Sequence, residues 1–300
     1  MSESIPAKKK GVLYVVATPI GNREDITLRA LKTLRDADLV VAEDTRKSGK
    51  FLSHHRIKNR LISYHEHNEK RRTPELLAKL LDGTTIALVS NAGTPGVSDP
   101  GYRLVAAAIE NKISVIPVPG PSAATTAMSA SGLPTDSFVF IGFSPKKKGK
   151  RLKFITELAA EPRALIFYES PKRVLAFLEE VVSHIGDRPA VLAREMTKLH
   201  EEFIRGRVSE ILETMKARPQ IKGECTLLVA GREEKRENDL DILKAEIKAA
   251  LGKHQKGLAE ITKSLAKKYG LSRNQVYAMA LKVKDQRTDV RNQRSEDEAQ

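Results

Sequence analysis

The feature that most restricts how this chain can fold is a repeated unit of three parts. A short β-branched apolar run comes first, then a turn of small or conformationally special residues, then a stretch with apolar residues at helical spacing. Runs at 12–17, 39–42, 86–90 and 113–118 read as strands, and 26–35, 74–81 and 102–110 read as helices between them. Such alternation predicts a mainly parallel sheet with crossover helices. A second series follows, with strands at 138–143, 165–167, 191–193 and 226–230 and helices near 150–160, 171–185 and 208–217. The expected fold class is therefore α/β, with two α/β domains at 11–120 and 121–231. The break falls near 117–121, and a helix from Ser122 is placed to bridge the two. Residues 1–10 read as a flexible N-terminus, basic but without the apolar stretch of a secretory signal.

After Gly231 the pattern changes. Residues 232–241 form a charged linker with no strand candidate beyond it. Leu258, Ile261, Leu265 and Tyr269 share one helix face, Gly270 suits a C-cap, and Ser272-Arg-Asn-Gln275 fits a capping box opening the next helix. Region 242–285 is thus expected to be all-helical and helix-turn-helix-like, and 286–300, polar throughout, is expected to be disordered. The whole chain carries a formal charge of +14, and 243–284 holds ten Lys and Arg against two Glu. Charge so concentrated points to a polyanion, nucleic acid first, although packing or dimerisation would use the same helices. The single cysteine, Cys225, excludes an internal disulfide or a cysteine zinc cluster and fits a reducing cytoplasm. No run approaches the roughly 18 apolar residues of a membrane helix.

The glycines exclude two common nucleotide-binding schemes. None of the 18 is spaced G-x-G, and no G-x-x-x-x-G-K-[ST] loop occurs, so dinucleotide and P-loop folds are ruled out. The unusual turns instead follow strands: Thr18-Pro19-Ile20-Gly21-Asn22, Glu43-Asp44-Thr45-Arg46, Asn91-Ala92-Gly93-Thr94-Pro95-Gly96 and Pro119-Gly120-Pro121-Ser122. Open α/β sheets bind ligands at the carboxyl ends of their strands, so four such turns predict one shared cleft. Small residues there let the backbone approach a ligand, and prolines stiffen the turns.

These residues also carry a resemblance. The segments Tyr14-Val-Val-Ala-Thr-Pro-Ile-Gly-Asn22, Glu24-Asp-Ile-Thr27, Ala42-Glu-Asp-Thr-Arg46, Ser90-Asn-Ala-Gly-Thr-Pro95, Ser98-Asp-Pro-Gly-Tyr102 and Pro119-Gly-Pro-Ser122 lead it. With Leu133-Pro134, Phe140-x-Gly-Phe143, Glu161-Pro-Arg163, Phe167-Tyr-Glu-Ser170, Ala193-Arg-Glu195 and Thr197-Lys198, they closely resemble the small-subunit ribosomal RNA methyltransferases. That family lies within the tetrapyrrole-methylase-like (class III) methyltransferases. The likeness spans about residues 11–231, and the helical tail resembles the family's C-terminal region. It implies S-adenosylmethionine as cofactor in a cleft between two α/β domains, a homodimer, and 2′-O-methylation of a cytidine in the decoding region of 16S rRNA on the small ribosomal subunit. The cofactor contacts it implies are Pro19 and Ile20, then Asn91, Ala92, Gly93, Thr94 and Pro95, then Ser122 and Ala123, with Tyr168 and Thr226 from the second domain. In one departure, this chain has Asn91 where the family usually has Asp.

Methyl transfer to a ribose hydroxyl requires alignment and removal of a proton. Glu43 and Asp44, at a strand end, are the first candidates for the base, with Arg46 orienting one of them or holding a phosphate. The trio also reads as an ion pair with a helix cap. His65-Glu66-His67 lacks further ligands at metal spacing, so no metal site is expected. Lys146, Lys147, Lys148, Lys150 and Arg151, extended by Lys172 and Arg173, form a basic track suited to phosphates, or else a solvated loop. Arg273, opening the second tail helix, could face a phosphate. With no Trp and 5% aromatics, base stacking is not the main RNA grip. Two rival functions stay open: a related methylase acting on a tetrapyrrole or a protein, and a non-catalytic RNA-binding assembly factor. Neither a tetrapyrrole nor a protein substrate would call for +14 and a basic helical tail.

Overall fold

The computed structural model describes residues 10–232, 237–252, 257–269 and 276–283 other than Lys282. Residues 1–9, residues 233–236 of the expected linker, the Gly270 cap, the 272–275 capping box with Arg273, and the 286–300 tail lie outside the described residues. The linker is shorter than expected, because 237–241 already belong to a helix that runs Glu237–Gly252. The chain divides into two compact units, Met1–Arg232 and Glu233–Gln300.

The first unit contains two five-stranded sheets. In the first, β1 (Val12–Val16), β2 (Leu39–Ala42), β3 (Leu61–Ser63), β4 (Ile86–Val89) and β5 (Ser114–Val118) pair in the order β3-β2-β4-β1-β5. Every neighbouring pair is parallel. The crossovers contain α1 (Leu28–Asp36), α2 (Thr45–His54), α3 (Glu69–Leu81) and α4 (Tyr102–Glu110). Every residue of β2 and β4 is buried, which is why these strands read as unbroken apolar runs rather than as alternation. One face packs Leu13, Val41 and Leu88 against Leu76, Leu80 and Leu104 of α3 and α4. The other packs Val16, Val40 and Val89 against Ala30, Leu34 and Leu52 of α1 and α2. The helices that follow the adjacent strands β1 and β4 therefore lie on opposite faces. That is a topological switch point, where the two exit turns diverge and leave a crevice.

The mainly parallel arrangement holds for the first sheet only. The second comprises β6 (Phe138–Phe143), β7 (Ala164–Glu169), β8 (Pro189–Arg194), β9 (Glu202–Arg207) and β10 (Cys225–Val229), ordered β6-β7-β10-β8-β9. Only β6 and β7 run parallel. Its outer face is covered by α6 (Lys148–Glu157), α7 (Val174–His184) and α8 (Val208–Lys216), with Phe167, Phe177, Leu192, Ile211 and Leu227 in the core. Its inner face meets α5 (Ala123–Ser129) through Ile166, Val191 and Leu228 against Ala124, Ala127 and Met128. The second unit holds α9 (Glu237–Gly252), α10 (Leu258–Tyr269) and a helical turn at 276–281, closed around Leu243, Ile247, Ile261, Leu265, Val276 and Ala280.

Neighbouring residues on β7 divide the labour between core and cleft. Phe167 is fully buried, edge-on to Phe177 with ring centroids 5.2 Å apart, while Tyr168 points to the opposite face. Phe167→Ala is expected to destabilise the fold by about 3–5 kcal/mol in chemical denaturation, while the molecules that remain folded keep their cleft chemistry.

Candidate active site at the switch-point crevice

The exit turns of β1 and β4 are tied to each other by two backbone hydrogen bonds. The Thr18 amide donates to the Gly93 carbonyl at 2.8 Å, and the Gly93 amide donates to the Thr18 carbonyl at 2.9 Å. The Thr18 hydroxyl adds a bond to the Ser90 carbonyl at 3.3 Å. On the other side, the Ala17 amide donates to Val118 of β5 at 3.1 Å. Gly93 sits at φ +74°, a left-handed conformation that a side chain would strain. Beyond it the loop turns through Gly96, Ser98 and Gly101, all at positive φ; a non-glycine residue held there, such as Ser98, marks strain of the kind that gathers at functional sites.

A cleft of about 330 Å³ opens above the bridge, between the two sheets. Ile20, Ala92, Gly93, Thr94, Ser122, Ala123, Tyr168 and Thr226 all line it, and all belong to the predicted cofactor set. Pro19 and Asn91 instead line a second pocket of about 230 Å³, beside Lys47, Phe51 and Lys198. Pro95 is buried and lines none of these cavities. The Tyr168 hydroxyl accepts from the Ala124 amide at 3.2 Å, so it satisfies an open donor in the first turn of α5. Burial pushes its phenol pKa up.

The cleft lining includes Asp99, Glu169 and Glu224 but no Lys or Arg. Glu169 is committed: Arg173 grips it at 2.8 and 2.9 Å, and Ser144 donates to it at 3.0 Å. Glu224 receives Lys198 at 3.1 Å. Asp99 has no ion-pair partner among the described residues. Its pKa is pushed up to about 6, first by burial and then by the nearby Glu43 carboxylate, against the lowering effect of the Ser90 hydroxyl. Sequence reasoning gave Asp99 no role. The signal was available, a carboxylate set between Gly96 and Gly101 in the turn after a central strand.

Asp99 also lines a third, wider cavity of about 680 Å³, together with Glu43, His65, Glu66, His67, Glu69 and Tyr102. Here the candidate bases separate. Glu43 accepts the Asn91 amide at 3.2 Å and faces this wider cavity, not the cofactor cleft. Asp44 is the N-cap of α2, accepting the Arg46 amide at 2.9 Å and its guanidinium at 3.0 Å, which holds its carboxyl down at about 2. The trio thus contains the cap and ion pair that the sequence also allowed, and Asp44 is unsuited to take a proton near neutrality. The rings of His65 and His67 lie 6.0 Å apart, and among the described residues no three His, Cys, Asp or Glu side chains gather as a metal site requires.

The basic track is thinner than its sequence. Lys146, Lys147, Lys148, Lys150 and Lys172 are exposed. Arg151 is not free: it grips the buried Glu180 at 2.6 and 2.7 Å and donates to the Pro145 and Lys146 carbonyls. Arg173 is likewise held by Glu169. Both arginines fasten the loops that carry the lysines.

Comparison with known proteins agrees with this geometry. The family of Tetrapyrrole (Corrin/Porphyrin) Methylases matches residues 12–212. Ribosomal RNA small subunit methyltransferase I of Halalkalibacterium halodurans is 50% identical over 226 residues, covering 75% of this chain and 78% of the relative. The protein of the same name from Mesorhizobium japonicum is 44% identical over 283 residues, covering 94% of this chain and 95% of its own. Among solved structures, uroporphyrin-III C-methyltransferase from Thermus thermophilus, complexed with S-adenosyl homocysteine, superposes with a TM-score of 0.52 at 18% identity, over 73% of this chain and 97% of that one. At that identity the likeness is one of fold.

The raised pKa of Asp99 sets a pH signature. A carboxyl that binds its proton more tightly when folded adds stability below its unfolded pKa, and that stability is lost as pH rises through about 6. Asn carries no charge at any pH. Asp99→Asn is therefore expected to melt a few degrees above wild type at about pH 8 and level with it at about pH 4 in differential scanning calorimetry.

Proposed function

The chain belongs to the tetrapyrrole methylase family and, within it, to the ribosomal RNA small subunit methyltransferase I group, and we propose that it methylates the 2′-hydroxyl of a cytidine ribose in the decoding region of 16S rRNA. The observation that carries this reading is the adjacency of two unlike cavities. The 330 Å³ cleft is small-walled, partly apolar and free of basic side chains, which suits a cationic sulfonium and would repel a polyphosphate. Ile20, Ala92, Gly93, Thr94, Ser122, Ala123, Tyr168 and Thr226 would hold S-adenosylmethionine there. When bound, this cofactor supplies an electrophilic methyl group, whose bond to sulfur breaks with the electron pair left on sulfur. The 680 Å³ cavity beside it is large enough for a nucleoside.

The rest of the chain fits a large anionic substrate. Formal charge of +14 draws rRNA toward a locally acidic cleft, and the exposed Lys146, Lys147, Lys148, Lys150 and Lys172 supply phosphate contacts. Among the described residues no helix is long and apolar enough to cross a membrane. We further take the protein to act in the cytoplasm as a homodimer, for which the exposed Leu28, Ile109 and Ile116 side chains offer apolar contact surface.

Mass-spectrometric mapping of ribose methyl groups in 16S rRNA, incubated with the protein and S-adenosylmethionine, is expected to show one new 2′-O-methylcytidine in the decoding region. Methylation of a base, or none in either naked RNA or small subunits, would overturn the reading. Deleting 240–300 is expected to leave cofactor affinity in calorimetry unchanged but to weaken rRNA binding and flatten its salt dependence, because fewer counterions are released. An equal salt slope in the two proteins would confine the tail to packing.

A further inference from the structure

We propose that Asp99 is the catalytic residue that takes the proton from the acceptor hydroxyl, with Glu43 as its positioning residue. This rests on the methyl-transfer reading above. The placement is specific: Ser98 and Asp99 are the residues common to the linings of the 330 Å³ cleft and the 680 Å³ cavity. A hydroxyl that reaches from the wider cavity toward the cleft meets this pair. Of the two, only the carboxylate can accept a proton near neutrality.

The other carboxylates in the region are excluded by their partners. Asp44 caps α2 and is paired with Arg46, Glu169 is gripped by Arg173, and Glu224 is bonded to Lys198. Glu43 lies outside the cofactor cleft, where its Oε2 holds the Asn91 amide and so fixes the side chain. From there its charge faces Asp99, and with burial it raises the proton affinity of that carboxylate. The other charged and titratable groups that face this corner are His65, Glu66 and His67 after β3, Glu69 on α3 paired with Arg103 of α4 at 2.7 Å, Tyr102 on α4, and Tyr168 on β7. Carboxylates outnumber unpaired cations among them, so the corner favours a proton held on Asp99. A base poised near the working pH combines an ionised fraction with useful proton affinity.

In the step itself the acceptor O–H bond breaks, and its electron pair stays on oxygen as the O–CH₃ bond forms. The carbon–sulfur pair remains on sulfur, and the proton bonds to an Asp99 carboxylate oxygen. One positive charge is lost from sulfur and one proton is gained by Asp99, which releases it to water through the wider cavity.

The test uses full-length Asp99→Asn and Glu43→Gln proteins with small subunits or rRNA in single turnover at saturating S-adenosylmethionine. Asp99→Asn is expected to slow methyl transfer by about 10²-fold or more while calorimetric cofactor affinity stays near wild type. The wild-type rate should fall on the acid side with a midpoint near 6, that limb should be missing in Asp99→Asn, and Glu43→Gln should move it to lower pH. A second readout needs no cofactor: carbon-13 carboxyl NMR of the free protein should show Asp99 titrating near 6, and lower in Glu43→Gln. An active wild type with Asp99→Asn within threefold of it, or with an unchanged acid limb, would overturn this assignment alone. So would a free-protein titration of Asp99 that Glu43→Gln leaves in place. A wild type that methylates no RNA would instead overturn the underlying reading.

Discussion

The pair of backbone hydrogen bonds between Thr18 and Gly93 is the constraint on which the site depends. β1 and β4 are adjacent and parallel, yet the helices that follow them pack on opposite faces of the sheet. Left to themselves, two diverging turns would leave unpaired amides at the mouth of a crevice. The reciprocal bonds satisfy those amides and fix the separation of the turns. Ile20 and Thr94 then fall on the cleft side, and Pro19 and Asn91 fall behind it. Gly93 permits the geometry because its φ of +74° carries no side chain. The site is therefore made mostly of backbone and small residues.

Electrostatics divides the same way. The chain as a whole is strongly basic, but the cleft lining has carboxylates and no Lys or Arg. Most of those carboxylates are neutralised by partners that also do structural work, as Arg173 does for Glu169. Asp99 is the exception, and it stands where the two cavities meet. Asn91 matters here. Its backbone N–H donates to Glu43 and its side-chain oxygen is buried without a partner among the described residues. An aspartate in its place would add a further negative charge beside Glu43, so asparagine keeps that corner from becoming still more acidic.

Much of this was legible in the residues because burial on both faces of a parallel sheet leaves unbroken apolar runs, as in β2 and β4. The strands that the pattern missed are edges. β3 has three residues, and β9, with the sequence Glu-Phe-Ile-Arg-Gly-Arg, is polar and paired on one side; edge strands are short and charged because a long apolar edge would invite aggregation. Gly49 and three charged residues blur the periodicity of α2, and its Asp44 cap has the same local signature as a strand-end base. α3 begins at Glu69, before Pro74, although a proline normally marks a first turn. Pairings across long sequence separation were out of reach altogether. Nothing local distinguishes Arg151, held by Glu180, from the exposed lysines beside it. The place of Asp99 between two turn glycines is legible in the sequence, but its proximity to Glu43 is not, because it comes from two loops that only the folded sheet brings together.

The central claim is that the methyl donor sits above the Thr18–Gly93 bridge and faces the acceptor cavity across Asp99. A crystal structure of the protein with S-adenosylhomocysteine tests it most directly. The ligand is expected in the cleft between Ile20, Gly93 and Tyr168, with its sulfur turned toward Asp99 and the wider cavity open beyond. A ligand seated instead in the pocket bounded by Pro19, Lys47 and Lys198, or a sulfur facing away from Asp99, would contradict it.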